Sequence, residues 1–410
     1  MEGRRRITSR WRLLAVALLA AACGTPAPTS PVIPSMTVPP VRSPAAEATP
    51  AGTPTPGLPE VPGRLGEALA LSGPTPRELS FTDWAQIREA AGAGGLTGAS
   101  PFEDKAAALR NDVPLAAFGV EYLATVATDW GFDVFDLDWE AIAEAPGTLL
   151  HVLRLRDGFD ATALTWKLDE YGFATETLPR GILRSITRDQ LFRLGGSTNP
   201  ALMGTGLLLL NTGILDDGRT LVTSPNDADV VRAILTDGPQ AVADPSLRSV
   251  ARLLDGPAAA VIQVGDLCAA ANQGIASVQG PLRAEIDQLL AAAGTLHPYN
   301  ALGIAYAWRP ELRGRIVLGY AVGADATSDL EGRRLLADRG LMIGRRARFP
   351  YREQVFTLAD AHVEEGAIVL ELGRPTFVLP TGSRSGPTEL LPRVLLLVPQ
   401  RDYLFGACSD

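Results

Sequence analysis

Residues 301–322 read Ala-Leu-Gly-Ile-Ala-Tyr-Ala-Trp-Arg-Pro-Glu-Leu-Arg-Gly-Arg-Ile-Val-Leu-Gly-Tyr-Ala-Val. Two apolar, β-prone runs, 301–308 and 315–322, flank a 310–314 segment that carries proline and glycine. Runs of that kind separated by a short turn make a β-hairpin, so the strands here are expected to pair antiparallel. Working outward, a strand at 258–264 and a helix at 281–293 precede the hairpin, and a helix at 328–339 and strands at 353–361 and 367–372 follow it.

The same order recurs upstream. A β-rich run at 148–156 leads to a helix at 160–171 that stops at Gly172. Strands follow at 181–187, 205–213 and 219–224, the last two joined by an Asp- and Gly-rich turn at 214–218, and then helices at 226–236 and 245–254. Gly218-Arg219, a strand, Asp227 and a helix are echoed by Gly314-Arg315, a strand, Asp329 and a helix. Residues 65 to about 130 read as helical, with helices at 81–91, 101–110 and 114–129. The middle one has Ser100 and Glu103 at capping-box spacing and Pro101 in its first turn. The expected fold class is therefore α+β. A helical N-terminal segment precedes two antiparallel α/β sandwich-like units, each near β-α-β-β-α-β, with helices on one face of the sheet. The division expected is 65–256 for the helical segment and first unit, and 257–410 for the second.

The beginning of the chain has a different character. Five arginines between Arg4 and Arg12 precede an apolar run at 13–22, and Cys23 follows Leu19-Ala20-Ala21-Ala22. A basic stretch, an apolar stretch and a small-residue approach in that order form an export signal. Ten apolar residues are about half of what a membrane-spanning helix needs. The approach to Cys23 resembles the lipobox of bacterial lipoproteins, which implies a signal peptide at 1–22, lipid (palmitate) on Cys23 and a location on the extracytoplasmic face of the cell membrane. From 24 to 64 there are twelve prolines in 41 residues and no aromatic side chain, the composition of an extended tether that lifts a domain from its anchor.

Charge narrows the partners. The whole chain carries a formal −9, and because residues 1–22 hold five arginines and one glutamate, the chain from Cys23 carries −13. That balance disfavours nucleic acid and leaves the membrane, through the lipid, and an envelope protein or glycan as expected partners. Of three cysteines, Cys268 and Cys408 remain once Cys23 is lipidated. In an oxidising compartment a disulfide between them is expected, the alternative being two buried thiols.

One stretch has the look of chemistry. Residues 131–140, Gly-Phe-Asp-Val-Phe-Asp-Leu-Asp-Trp-Glu, hold Asp133, Asp136, Asp138 and Glu140 in the order D-x-x-D-x-D-x-E. This resembles the active-site strand of family 18 chitinase-like glycosidases, which implies Glu140 as general acid and Asp138 as the group that positions the substrate. Val134 stands where that family has glycine. Alternation supplies the other reading, in which Phe135, Leu137 and Trp139 face inward while Asp136, Asp138 and Glu140 face solvent from a half-buried strand.

No nucleotide-binding fingerprint is present, and His151, His297 and His362 lack ligand-like spacing, so neither metal nor cofactor is expected. Arg345, Arg346 and Arg348 form a local basic cluster, and 382–386 reads as a glycine-flanked loop. The leading expectation is a membrane-anchored lipoprotein that acts as a binding or interaction module. The alternatives are an envelope glycosidase using Glu140 and a solute-binding lipoprotein with parallel lobes.

Overall fold

The computed structural model describes residues 61–73, 76–108, 123–196, 200–239, 244–308, 311–343, 349–377 and 391–409. Residues 57–410 belong to one compact unit. The leader, Cys23, most of the tether, the Arg345, Arg346 and Arg348 cluster and the 382–386 loop lie outside the described residues.

The first half of the fold opens with α1 (Gly63–Ala70) and β1 (Glu78–Thr82). Three helices, α2 (Trp84–Ala90), α3 (Phe102–Ala108) and α4 (Leu123–Trp130), lead to the hairpin β2 (Leu137–Ala145) and β3 (Thr148–Leu155). Helix α5 (Thr162–Glu170) then carries the chain to the sheet's far edge, where β4 (Ala174–Leu178) and β5 (Gly181–Ser185) pair. After α6 (Arg188–Leu191) and α7 (Pro200–Leu208), β6 (Asn211–Leu215) and β7 (Thr220–Ser224) step back until β7 meets β3. Helix α8 (Ala228–Asp237) closes this half.

The second half repeats the plan. It runs through α9 (Pro245–Leu253), β8 (Ala259–Val264), α10 (Leu267–Ala276) and α11 (Pro281–Ala293) to the hairpin β9 (Ala301–Ala307) and β10 (Arg313–Gly319). The long crossover helix α12 (Gly323–Arg339) and the short α13 (Tyr351–Gln354) then lead to β11 (Thr357–Glu364) at the other edge, and β12 (Ala367–Gly373) returns to β10. All twelve described strands form one sheet, in the order β11-β12-β10-β9-β8-β1-β2-β3-β7-β6-β5-β4. Every pairing within it is antiparallel, so the fold is α+β.

The repeat has a different phase from the one the sequence echo suggests. Each half runs helix, strand, helices, hairpin, crossover helix, returning strands, and the halves meet where β1 pairs with β8. Thus β10 and α12 correspond to β3 and α5, and not to β7 and α8. The echo equated Asp227, which caps the start of α8, with Asp329, which is buried in the middle of α12.

Helices cover both faces of the sheet, a correction to the single covered face expected. On the front face Leu153, Val261, Ile304, Ile316 and Leu370 pack under residues of α2, α4, α5, α10, α11 and α12. On the back face Phe81, Trp139, Ala260, Ala305, Val317 and Val369 pack under α1, α8 and α9. The reason is visible in β9 and in Ala259–Ile262 of β8, whose side chains are apolar or aromatic on both alternations, so neither face could be left wet. Each Leu, Ile or Val so buried contributes about 1.5–3 kcal/mol. Helix α9 sits close on the back face because Gly303 gives it room; a Cβ there would fall 2.4 Å from Val250.

Other local expectations also changed. Residues 81 and 82 end β1, and the helix begins after Asp83, whose carboxylate accepts a hydrogen bond from the Gln86 amide. The leucine-rich run expected as a strand at 205–213 is the end of α7 followed by β6. Gly206 of α7 lies against Trp130 and Leu191, where a Cβ would fall 3.0 Å from either side chain. Strand β4 and helix α10 were not expected.

The chain ends in two 3-10 turns, Leu391–Leu397 and Leu404–Gly406, laid on the front face. Cys268 and Cys408 form a disulfide across a sequence separation of 140. On the chain-entropy account, a loop of that size restrains the unfolded chain by about 5 kcal/mol.

Candidate functional site

Of the carboxylates in the 133–140 stretch, Asp133, Asp136 and Glu140 are buried and Asp138 is half-buried. Asp133 caps the 3-10 turn Val134–Asp136, its Oδ1 accepting from the Phe135 amide at 2.8 Å and its Oδ2 from Lys105 Nζ at 2.7 Å. Asp136 answers reciprocally, its Oδ2 accepting from the Asp133 amide at 3.1 Å and its Oδ1 from the Gly98 amide at 3.0 Å. Lys105 also donates to the Gly98 carbonyl at 2.7 Å. Gly98 is required there, since a Cβ would fall 2.0 Å from Asp136 Oδ2. Asp133 is 1% exposed and Lys105 4%, so this is a buried ion pair that fastens the loop before α3 to the start of β2. Burial pushes the Asp133 carboxyl above its ordinary pKa, and the hydrogen bond from Lys105 opposes that shift.

Asp138 and Glu140 are likewise occupied. Asp138 accepts from Arg219 at 3.1 Å and lies 4.0 Å from Arg88. Arg88 in turn donates to the carbonyls of Val134 and Leu137, and burial holds its pKa below the usual arginine value. Glu140 is 2% exposed and pairs with His151 at 3.2 Å across the β2–β3 hairpin. The expectation that Asp136, Asp138 and Glu140 face solvent is therefore corrected for Asp136 and Glu140, while Asp138 is half-buried. Alternation distinguishes the two faces of β2, but it cannot reveal that α2 covers the face carrying Glu140. A register shift between Leu137 and Trp139 also breaks the simple alternation. Among the described residues no barrel surrounds Glu140, because β2 lies inside an open sheet between β1 and β3.

A second polar cluster joins the disulfide to the body. Arg333, fully buried in α12, donates to the carbonyls of His297, Phe405 and Ala407 and contacts Asp329 at 3.4 Å. Asp329 accepts from the His297 amide at 2.7 Å and from Tyr320 at 3.1 Å. Its Oδ1 lies 2.6 Å from His297 Nδ1, and the hydrogen bond raises the imidazole pKa. Ser328 Oγ lies 3.3 Å from the same Nδ1. A nucleophilic triad uses the two ring nitrogens separately, one for the acid and one for the hydroxyl. This cluster instead clasps the C-terminal tail.

The open site is elsewhere. A groove of about 1020 Å³ runs along the back face between the C-terminal end of α9 and the outer strands β10, β12 and β11. It shares Asp255 and Ala307 with a second groove of about 560 Å³ that reaches Pro62 and Arg64 at the start of α1. The sequence marks this region as an ordinary hairpin.

Histidine placement follows the same division, with His151 in the core, His297 at the clasp and His362 half-buried on β11 beside Asp360 and Glu364. Among the described residues no cluster of three or more His, Cys, Asp or Glu is arranged to hold a metal ion. Among the same residues no helix is long and apolar enough to cross a membrane.

The chain matches no family model and no curated protein. Among solved structures, crystal form I of TP0453 overlaps it with a TM-score of 0.35 and 9% identity, over 75% of this chain and 91% of that one. A likeness of that size identifies neither a family nor an activity.

Proposed function

We propose that the protein is a lipoprotein, anchored through lipid on Cys23 to the extracytoplasmic face of the cell membrane, whose globular part is a binding or interaction module. The observation that carries this reading is the Cys268–Cys408 disulfide, a bond that persists in oxidising compartments and suits the export signal at 1–22. The ion pairs at 133–140 favour a binding role over a glycosidase, because the Glu140 carboxylate meets His151 where a substrate oxygen would have to sit. The back-face groove supplies the open surface that a binding module needs.

Replacing Cys23 by Ala tests the anchor. The variant is expected to leave the membrane fraction, since ten apolar residues cannot hold it without lipid. Retention of a cleaved Cys23→Ala protein in that fraction would overturn the lipoprotein reading.

A further inference from the structure

The disulfide joins two segments that other contacts already hold together. Cys268 lies in the first turn of α10, and Cys408 follows the second 3-10 turn of the tail. One side chain of α10 brackets the Cys408 backbone: Asn272 Nδ2 donates to its carbonyl at 3.0 Å, and its amide donates to Asn272 Oδ1 at 3.2 Å. Leu296 brackets the next residue. The Ser409 amide donates to the Leu296 carbonyl and the Leu296 amide donates to Ser409 Oγ, both at 2.9 Å. On the other side Arg333 donates to the carbonyls of Phe405 and Ala407, and Tyr351 Oη accepts from the Leu404 amide at 2.6 Å. Tyr403, Leu404, Phe405 and Ala407 are buried in the front-face core.

Because hydrogen bonds and burial fix the chain on both sides of Cys408, breaking the S–S bond leaves the two sulfur atoms beside each other. A pair held that way closes again as an intramolecular reaction, which is favoured by a large effective concentration. The bond is also placed where a thiol can reach it. Both cysteines are half-buried, and Asp266, Ala269 and Ser409 around them are exposed. Cys408 is suited to leave as a thiolate, since Arg333 Nη2 lies 3.8 Å from its Sγ. That guanidinium is shared with Asp329, which His297 and Tyr320 also contact, so its charge is not wholly cancelled by one carboxylate.

We propose that Cys268–Cys408 is a reversible redox latch, opened by a dithiol and re-closed in place while the tail stays seated. A thiolate of the dithiol attacks Cys268 Sγ, forming a mixed disulfide and releasing Cys408 as a thiolate. The second thiol of the dithiol then attacks its own partner sulfur in the mixed disulfide and releases Cys268. Two electrons and two protons pass to the cysteine pair, and the dithiol ends as a disulfide. The latch governs the tail: closed, it ties the tail to α10; open, it leaves the tail on β9 and β10 by noncovalent contacts alone, so the tail lifts more often. This goes beyond the binding-module reading and does not depend on it.

The test treats the mature protein with dithiothreitol at neutral pH without denaturant. Peptide mass spectrometry after acid quenching reports the thiols, and hydrogen exchange reports the tail and the sheet separately. The bond is expected to open, exchange in the peptide covering 402–409 is expected to rise about tenfold, and peptides of β8 and β9 are expected to stay unchanged. Oxidised dithiothreitol should restore the bond and the slow exchange. Asn272→Ala, which removes the bracket and is only half-buried, should slow that re-closure about tenfold, the equivalent of one good contact. Opening that requires denaturant, or that raises exchange throughout the chain, would overturn the proposal. So would a tail whose exchange ignores the bond, or re-closure at the same rate in Asn272→Ala. The double variant Cys268→Ser, Cys408→Ser provides an independent check: it should keep the near-UV circular dichroism of the wild type, and loss of that signal would show that the tail is not seated without the bond.

Discussion

The stretch 133–140 and the back-face groove are both rich in charge, yet one is interior scaffold and the other is open surface. In the first, every carboxylate meets a specific partner: Asp133 has Lys105, Asp136 has the Gly98 amide, Asp138 has Arg219 and Glu140 has His151. In the second, Arg313 and Glu311 hold no ion pair among the described residues. Charge in a sequence therefore says that a group must be satisfied, and only the packing says whether protein or ligand satisfies it. Clustered carboxylates attract attention as candidate acids, but here they cost desolvation energy and are retained to fasten a loop.

The sharpest contrast comes from one substitution in each region. Lys105→Met removes the partner of a carboxylate that is 1% exposed, and breaking a buried pair from one side costs about 3–5 kcal/mol. Chemical denaturation should show that loss as a lower midpoint. Arg313→Gln removes an exposed charge and should stay within about 0.5 kcal/mol of the wild type. Equal effects of the two substitutions would erase the distinction between scaffold and surface.

A smaller effect is expected at the clasp. The hydrogen bond from Asp329 raises the His297 pKa in the folded protein above its unfolded value. The sign follows from linkage: protonated His297 binds Asp329 better than neutral His297 does, so the stabilisation is complete below the unfolded histidine value of about 6.5 and is lost as pH rises through the higher folded value. His297 is exposed, so the change in stability is modest. The His297 ring signals should titrate above the ordinary histidine value in the wild type and return toward it in Asp329→Asn. An unshifted titration in the wild type would show that the clasp does not depend on the imidazolium.

The parts of the fold that were legible in the sequence are those whose signals are local. Helix α11 begins at Pro281 and the β6–β7 and β9–β10 hairpins turn where the sequence punctuates them, because turns and first-turn prolines act over a few residues. The boundary of β1 is legible in principle, since Asp83 and Gln86 stand at capping distance, but helical periodicity alone extends the helix back over Phe81 and Thr82. What could not be read was which faces are covered. Nothing near Glu140 announces that α2, fifty residues earlier, lies over it. Nor does the sequence say that α8 covers the first half while no described helix lies over the matching surface of the second half. The phase of the repeat was missed because Asp227 and Asp329 look alike as letters and do opposite work, one capping a helix and the other pairing with Arg333 inside one.

The central claim, that 133–140 is closed scaffold, is tested most directly by native-state hydrogen exchange at the amides of Gly98, Asp133 and Phe135. Each donates to a buried carboxylate of the stretch. They should exchange as slowly as amides in the middle of β2, and Lys105→Met should accelerate all three together. Exchange of these amides at the rate of an unstructured peptide in the wild type would contradict it.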